Sequence, residues 1–227
     1  MMSVRQEFDQ WANTGRDRGM EERHWHTAKY ALSRMPIEDG ETILDLGTGS
    51  GYALRALRET QDIGMSVGLD GSPKMVQNAR EYTTDSLLSF IKGDFHQLPF
   101  ADGTIDHIWS MEAFYYSQDP LQVLAEIRRV LRSGGTFFCA VNFFDESQHT
   151  HRWQDRISVD MQLWDQTQYR EKFRKAGLYI AEQDTIPDEE TEIPPADGFP
   201  IENWETREAM IDRYRTWGTL LTVGVAP

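Results

Sequence analysis

The stretch Ile43–Tyr52, ILDLGTGSGY, sets three glycines at alternate positions between a short apolar run and the helix-like YALRALRET. Glycine permits left-handed backbone and leaves no Cβ between a turn and whatever lies against it. A strand that enters such a turn and leaves it as a helix opens a βαβ unit. The following sequence repeats the alternation. Strands are expected at 42–46, 65–69, 88–92, 104–110 and 135–141, and helices at 51–60, 72–83 and 119–132. That order predicts a parallel sheet with right-handed crossovers. Several strands are continuous apolar runs, as parallel strands buried on both faces must be. Ser72-Pro73 and Asp119-Pro120 supply a cap and a first-turn proline, and Gly134-Gly135 is expected to end the third helix.

Before the glycine turn, residues 3–35 read as helical, with breaks at Gly15 and Gly19 and a stop at Pro36. After residue 142 the pattern loosens: helix 165–176, strand 178–186, an acidic, proline-rich surface loop at 187–202, helix 205–213 and a last strand at 216–224. No repeat and no linker marks a second independent domain.

Three ligands compete for the glycine turn. A triphosphate loop requires GxxxxGK[ST], and no lysine sits there. A dinucleotide turn requires GxGxxG, but the third glycine falls one place early, at Gly51, with Tyr52 where it should stand. The remaining pattern, an acid two residues before GxGxG, resembles the class I S-adenosylmethionine (SAM)-dependent methyltransferases, in their small-molecule, type 11/25-like branch. The resemblance spans Thr42 to Phe144. It implies an α/β, Rossmann-like, doubly wound and mostly parallel seven-stranded sheet. The last strand would lie antiparallel beside the sixth and close the sheet. Residues 1–36 would form an N-terminal helical lid and substrate segment on a SAM-binding domain at 37–227.

Other stretches carry the same resemblance. In VGLDGSPKMVQNAR, Asp70 ends the second strand, 23 residues past Gly47. An acid there can accept hydrogen bonds from both ribose hydroxyls of a nucleoside lying across the strand ends. A helix cap is the alternative, and Ser72 already fills that role. In KGDFHQLPFADGTIDHIWS, Asp94 ends the third strand and Phe95 follows. That pair can hold an adenine amino group and pack against the ring. The resemblance makes Asp45, Gly47, Thr48, Gly49, Gly51, Asp70, Gly71, Met75, Asp94, Phe95, Ser110 and Met111 the cofactor-binding set, with S-adenosyl-L-methionine as cofactor.

The acceptor side is less defined. Family members often carry histidines after the fourth strand; this chain has Glu112, Tyr115 and Tyr116. Glu112 can orient a substrate or act as a base, and the tyrosines can supply an aromatic wall or phenol hydrogen bonds. Helix-cap packing is the alternative for all three. From the N-terminal segment, Glu21, His24, Trp25, His26 and Tyr30 are pocket candidates. His24 and His26 face different sides of a helix, so a shared metal is not expected, and His149 and His151 read as surface residues. No catalytic base is assigned.

The formal net charge of −14 and pI near 4.8 disfavour a nucleic-acid backbone or an anionic membrane as partner. No apolar run reaches the roughly 18 residues of a membrane span. The expected partner is therefore a small-molecule acceptor, with protein substrates left open. A non-catalytic SAM- or nucleoside-binding protein and a nicotinamide oxidoreductase stay open as alternatives. The single cysteine, Cys139, fits a reducing cytoplasm. Of 23 basic residues 18 are arginine, a bias that fits a salt-rich cytoplasm beside the plainer reading of an ordinary acidic cytosolic protein. Unfolding midpoints that rise from low to molar KCl are expected of the salt-rich reading; a flat curve would overturn it.

Overall fold

The computed structural model describes residues 3–157 and 159–227. Two helices, α1 (Val4–Asn13) and α2 (Arg16–Leu32), precede the alternating core. A capping box between Ser3 and Gln6 starts α1, and Gly15, with φ of 72°, turns the chain into α2. Gly19 does not break α2. It lies within the helix, and nothing crowds it. The core runs β1 (Ile43–Leu46), α3 (Tyr52–Thr60), β2 (Ser66–Asp70), α4 (Pro73–Glu81), β3 (Leu88–Lys92), β4 (Ile105–Met111), α5 (Pro120–Val130) and β5 (Leu131–Val141). It ends with α6 (Gln166–Lys175), β6 (Tyr179–Ile186), α7 (Arg207–Ile211) and β7 (Thr219–Val225).

The seven strands form one sheet in the order β3-β2-β1-β4-β5-β7-β6. The first five run parallel, and β7 runs antiparallel to both of its neighbours. The last strand therefore sits beside the sixth, as expected, but does not close the sheet. It inserts between β5 and β6 and leaves β6 at the edge. All four β1 residues are buried because helices cover both faces. On one face Val123, Leu124 and Ile127 of α5 and Phe173 of α6 pack with Leu44, Ile108 and Phe137. On the other, Ala28 and Leu32 of α2, Leu54 of α3 and Val76 of α4 pack with Ile43, Trp109 and Phe138. Each buried Val, Leu, Ile or Phe among them contributes about 1.5–3 kcal/mol.

Local chemistry places the helix starts where the sequence marks them. Ser72 Oγ accepts from Met75 N at 3.1 Å, and Asp119 Oδ1 accepts from Gln122 N at 3.1 Å. The Gly134-Gly135 pair does not end α5. The helix stops four residues earlier, where Leu131 turns extended and buries its side chain. The glycines then pair with the end of β7: Gly134 N donates to Ala226 O and Ala226 N donates to Gly135 O, both at 2.9 Å. The last helix is also shorter than expected and passes into a π-helical segment, Asp212–Trp217.

At the N-terminal ends of the strands, Glu41 Oε2 accepts from Glu38 N and pairs with His107 Nε2, both at 2.8 Å. Arg132 also reaches the Glu41 carboxylate. Burial alone would raise the Glu41 carboxyl, but these donors hold it below the usual range. This polar anchor lies opposite the sheet end that carries the glycine turn.

Candidate active site

The glycine turn lies at the C-terminal end of β1, beside the break in strand order between β2-β1 and β4. A crevice at such a switch point is where open α/β sheets take ligands. Gly47 N and Thr48 N donate to Leu69 O at 2.8 and 3.2 Å and tie the turn to β2. All three glycines have positive φ, but for different reasons. A Cβ on Gly51 would fall 2.6 Å from Phe90 Cε1, so that glycine serves packing. A Cβ on Gly49 would meet nothing within 4 Å, and Gly49 lines a cavity of about 1200 Å³.

Asp70 stands at the centre of this region. Its Oδ2 accepts from Gly49 N at 3.0 Å and its Oδ1 from Ser72 N at 2.8 Å. Burial pushes its carboxyl up to about 6 despite those donors. Gly71, Met75 and Phe95 also line the cavity, as do Gly47, Thr48 and Met111. Asp94 reaches the cavity from an exposed turn. It accepts from His96 N at 2.9 Å, and that bond, with the His96 ring 2.7 Å away, holds its carboxyl low.

Three members of the expected cofactor set lie behind the cavity wall. Asp45 is 2% exposed, accepts from Thr48 Oγ1 at 2.7 Å, and is pushed by burial up to about 7. Ser110 donates to Leu46 O at 2.9 Å, so its hydroxyl bridges β4 to β1. Gly51 is covered by Phe90. Tyr52, in the position that argued against a dinucleotide turn, lines the cavity. Its buried hydroxyl has no hydrogen-bond partner among the described residues.

Glu112, Tyr115, Tyr116 and His24 all line the same cavity. Glu112 has φ of 55°, the one non-glycine left-handed residue among those described. Such strain clusters at functional sites. Its carboxylate accepts from Asn142 N and from Tyr115 Oη at 3.1 Å, and burial pushes it up to about 7. His24 is driven down to about 3 by burial and by the charges of Arg23 and Arg213, so it is neutral. His26 does not reach the cavity. Its Nδ1 lies 3.3 Å from Asp188 Oδ2, which holds it against the 187–202 loop. That loop is not merely surface, because Asp188 is 5% exposed and lines the cavity with Thr191. Trp25 packs edge-on against Tyr52, and Tyr30 is exposed.

Residues of the two N-terminal helices line one side of the cavity. Asp9 Oδ1 accepts from Ser72 Oγ at 2.6 Å, Trp11 packs with Met75, and Glu21 accepts from Ser50 Oγ at 2.8 Å. Sequence reasoning missed Trp11, Asn142 and the wall formed by Arg152, Trp153, Trp204 and Arg213. Residues after 142 carry no motif, so no spacing could have found them. Among the described residues no group of three or more His, Cys, Asp or Glu is placed to hold a metal. Among the described residues no helix is long and apolar enough to cross a membrane.

Fold and site together define a class I SAM-dependent methyltransferase, and the chain belongs to that family. The family model described as a methyltransferase domain matches residues 44–139. A Haloferax volcanii chain, described as a candidate methyltransferase and solved in complex with the Trm112 methyltransferase activator, is 64% identical. It covers 99% of this chain and 100% of its own, with a TM-score of 0.97. The sterol 24-C-methyltransferase of Kluyveromyces lactis is 30% identical over 187 residues, 76% of this chain and 48% of that protein. The chain thus spans about half the length of the curated relatives it matches. A geranyl diphosphate methyltransferase solved with SAM is 19% identical over 88% of this chain and 84% of its own, with a TM-score of 0.69, and shares the fold. The expectation of a small-molecule partner alone is overturned by the Haloferax complex, in which a closely similar chain is bound to a protein. Net charge could not have shown this, because a docking surface is a local patch and not a bulk property.

The glycine geometry gives a direct test. Left-handed strain on a non-glycine residue costs about 1–2 kcal/mol, and overpacking adds about 1–3 kcal/mol. Gly51→Ala is expected to lose about 3 kcal/mol in urea unfolding and Gly49→Ala about 1 kcal/mol. Equal losses would overturn the distinction between a packing glycine and a cavity-facing one.

Proposed function

We propose that this chain transfers a methyl group from SAM bound across the C-terminal ends of β1, β2 and β3, and that it works in complex with a Trm112-type activator protein. The observation that carries the cofactor assignment is the Asp70 carboxylate, fixed by two backbone N–H groups on the cavity wall. Each oxygen keeps a lone pair for a ribose hydroxyl. Gly49 leaves room for close approach at the same end. These features fit SAM, which when bound supplies a methyl group on a cationic sulfur. Met75 and Phe95 would flank the adenine, with Asp94 at its amino group. Asp45 would act indirectly, through Thr48. This arrangement disfavours the nicotinamide reading.

In this reading the chain has to align the acceptor and exclude water. Glu112, with its carboxyl near 7, can hold or take a proton at the acceptor atom. Tyr115 orients that carboxylate, and neutral His24 can accept a hydrogen bond. Residues 1–36 would serve as the lid, since α1 and α2 lie over Met75 and Ser50. The acidic, arginine-biased composition and the Haloferax relative support a salt-rich cytoplasm.

Calorimetric titration with SAM, S-adenosylhomocysteine and NAD tests the cofactor. Micromolar binding of the two sulfur nucleosides and none of NAD is expected. Asp70→Ala should weaken that binding at least about tenfold, roughly 1.4 kcal/mol. Affinity in the native chain should also fall as pH drops below about 6, where Asp70 gains a proton. Unchanged affinity in the variant would overturn the assignment. The activator is tested separately. Co-expression with a Trm112-type protein is expected to give one complex in size-exclusion chromatography. Two separate peaks would overturn the partner and leave the cofactor reading intact.

A further inference from the structure

Away from the glycine turn, the cavity ends on a wall that no cofactor motif accounts for. Arg152 and Trp153 come from the 3-10 helix Gln148–Trp153, Trp204 from the loop before α7, and Arg213 and Tyr214 from the π-helical segment. π-helical insertions are rare and recur at functional sites.

Arg213 is 5% exposed. One guanidinium nitrogen donates to Gly218 O at 2.6 Å, while Nε is buried without a partner. Among the described residues no carboxylate comes within 4.0 Å of it. Glu112 and Asp188 act on it only from a distance, and their oxygens are already engaged. Glu112 accepts from Asn142 and Tyr115; Asp188 accepts from Thr191 Oγ1 at 2.6 Å and pairs with His26. Arg152 repeats the pattern. It lies 4.6 Å over the Trp204 ring, and its buried Nε also lacks a partner. A purely architectural role explains the Gly218 bond and the ring contacts. It does not explain why Arg213, a buried guanidinium that lines the cavity, has no carboxylate within reach, because an unpaired buried charge is costly.

We propose that this wall is an oxyanion subsite, so that the methyl acceptor carries a phosphate or carboxylate held by Arg213 and Arg152, with its planar body against Trp153 and Trp204. The inference rests on the methyltransferase reading and names the acceptor's chemistry. Guanidinium forks match both anions in geometry, and the aromatic faces suit a flat body. The net charge of −14 does not oppose this. Surface charges are screened beyond about 10 Å at moderate salt and beyond a shorter distance at higher salt, so the local wall decides.

The test is a ligand-observed NMR titration of the protein loaded with S-adenosylhomocysteine, using phenyl phosphate, benzoate and phenol. Binding of at least one anionic probe, and no binding of phenol, is expected; the tighter anion identifies the acceptor group. Arg213→Gln should weaken the anionic probe at least tenfold while S-adenosylhomocysteine affinity stays within twofold. If that variant does not fold, Arg152→Gln should weaken the same probe severalfold. Failure of both anions to bind the loaded protein, or equal binding by the folded variant, would overturn the subsite. Failure of S-adenosylhomocysteine to bind at all would instead overturn the methyltransferase reading.

Discussion

Two backbone N–H groups, from Gly49 and Ser72, converge on the two oxygens of Asp70. Through them one carboxylate at the end of β2 fixes the turn after β1 and the start of α4. Ser72 in turn donates to Asp9 and caps α4, so the lie of α1 over the cavity depends on the same junction. If that carboxylate moves, the glycine turn, the helix cap and the N-terminal cover lose a common reference. Concentrating position in one charged group has a cost. Partial burial at the cavity wall raises its carboxyl, and the backbone donors only partly offset that.

Asp70 shares that condition with Asp45 and Glu112. All three carboxyls are raised by burial, to about 6, 7 and 7, above ordinary values of 3.8, 3.8 and 4.5. Their contribution to folding is therefore most favourable at acid pH, below the ordinary values. It is lost as pH rises through 6 to 7. Asp70 and Glu112 line the cavity and Asp45 lies behind its wall, so burial disfavours the charged form of three acids in one region. The left-handed backbone at Glu112 is a second stored cost in the same place.

The contrast between surface and site explains why bulk charge misleads. The chain is strongly acidic as a whole, yet its cavity ends on guanidinium groups. The same reasoning applies to partners. A protein-binding patch on a sheet edge or helix face leaves almost no mark on composition. In the proposed assembly the activator would meet such a patch, and the acceptor would meet the arginine wall.

The sequence, with the family resemblance its motifs carry, was enough for the sheet, the doubly wound topology and the place of the glycine turn. Those features rest on short-range rules: glycine where the backbone turns left, serine or aspartate with proline where a helix starts, apolar runs where strands are buried. Asp70, Asp94 and Glu112 were legible because strand ends in such a sheet point to one crevice. Only the tertiary structure decided that Asp45, Gly51 and Ser110 lie behind the wall, that His26 turns away to Asp188, and that β6 is left at the sheet edge. It alone brought Arg152 and Arg213 to one surface from segments some 60 residues apart. Those outcomes depend on packing between distant segments, and no local spacing encodes which side of a strand or helix the rest of the chain will cover.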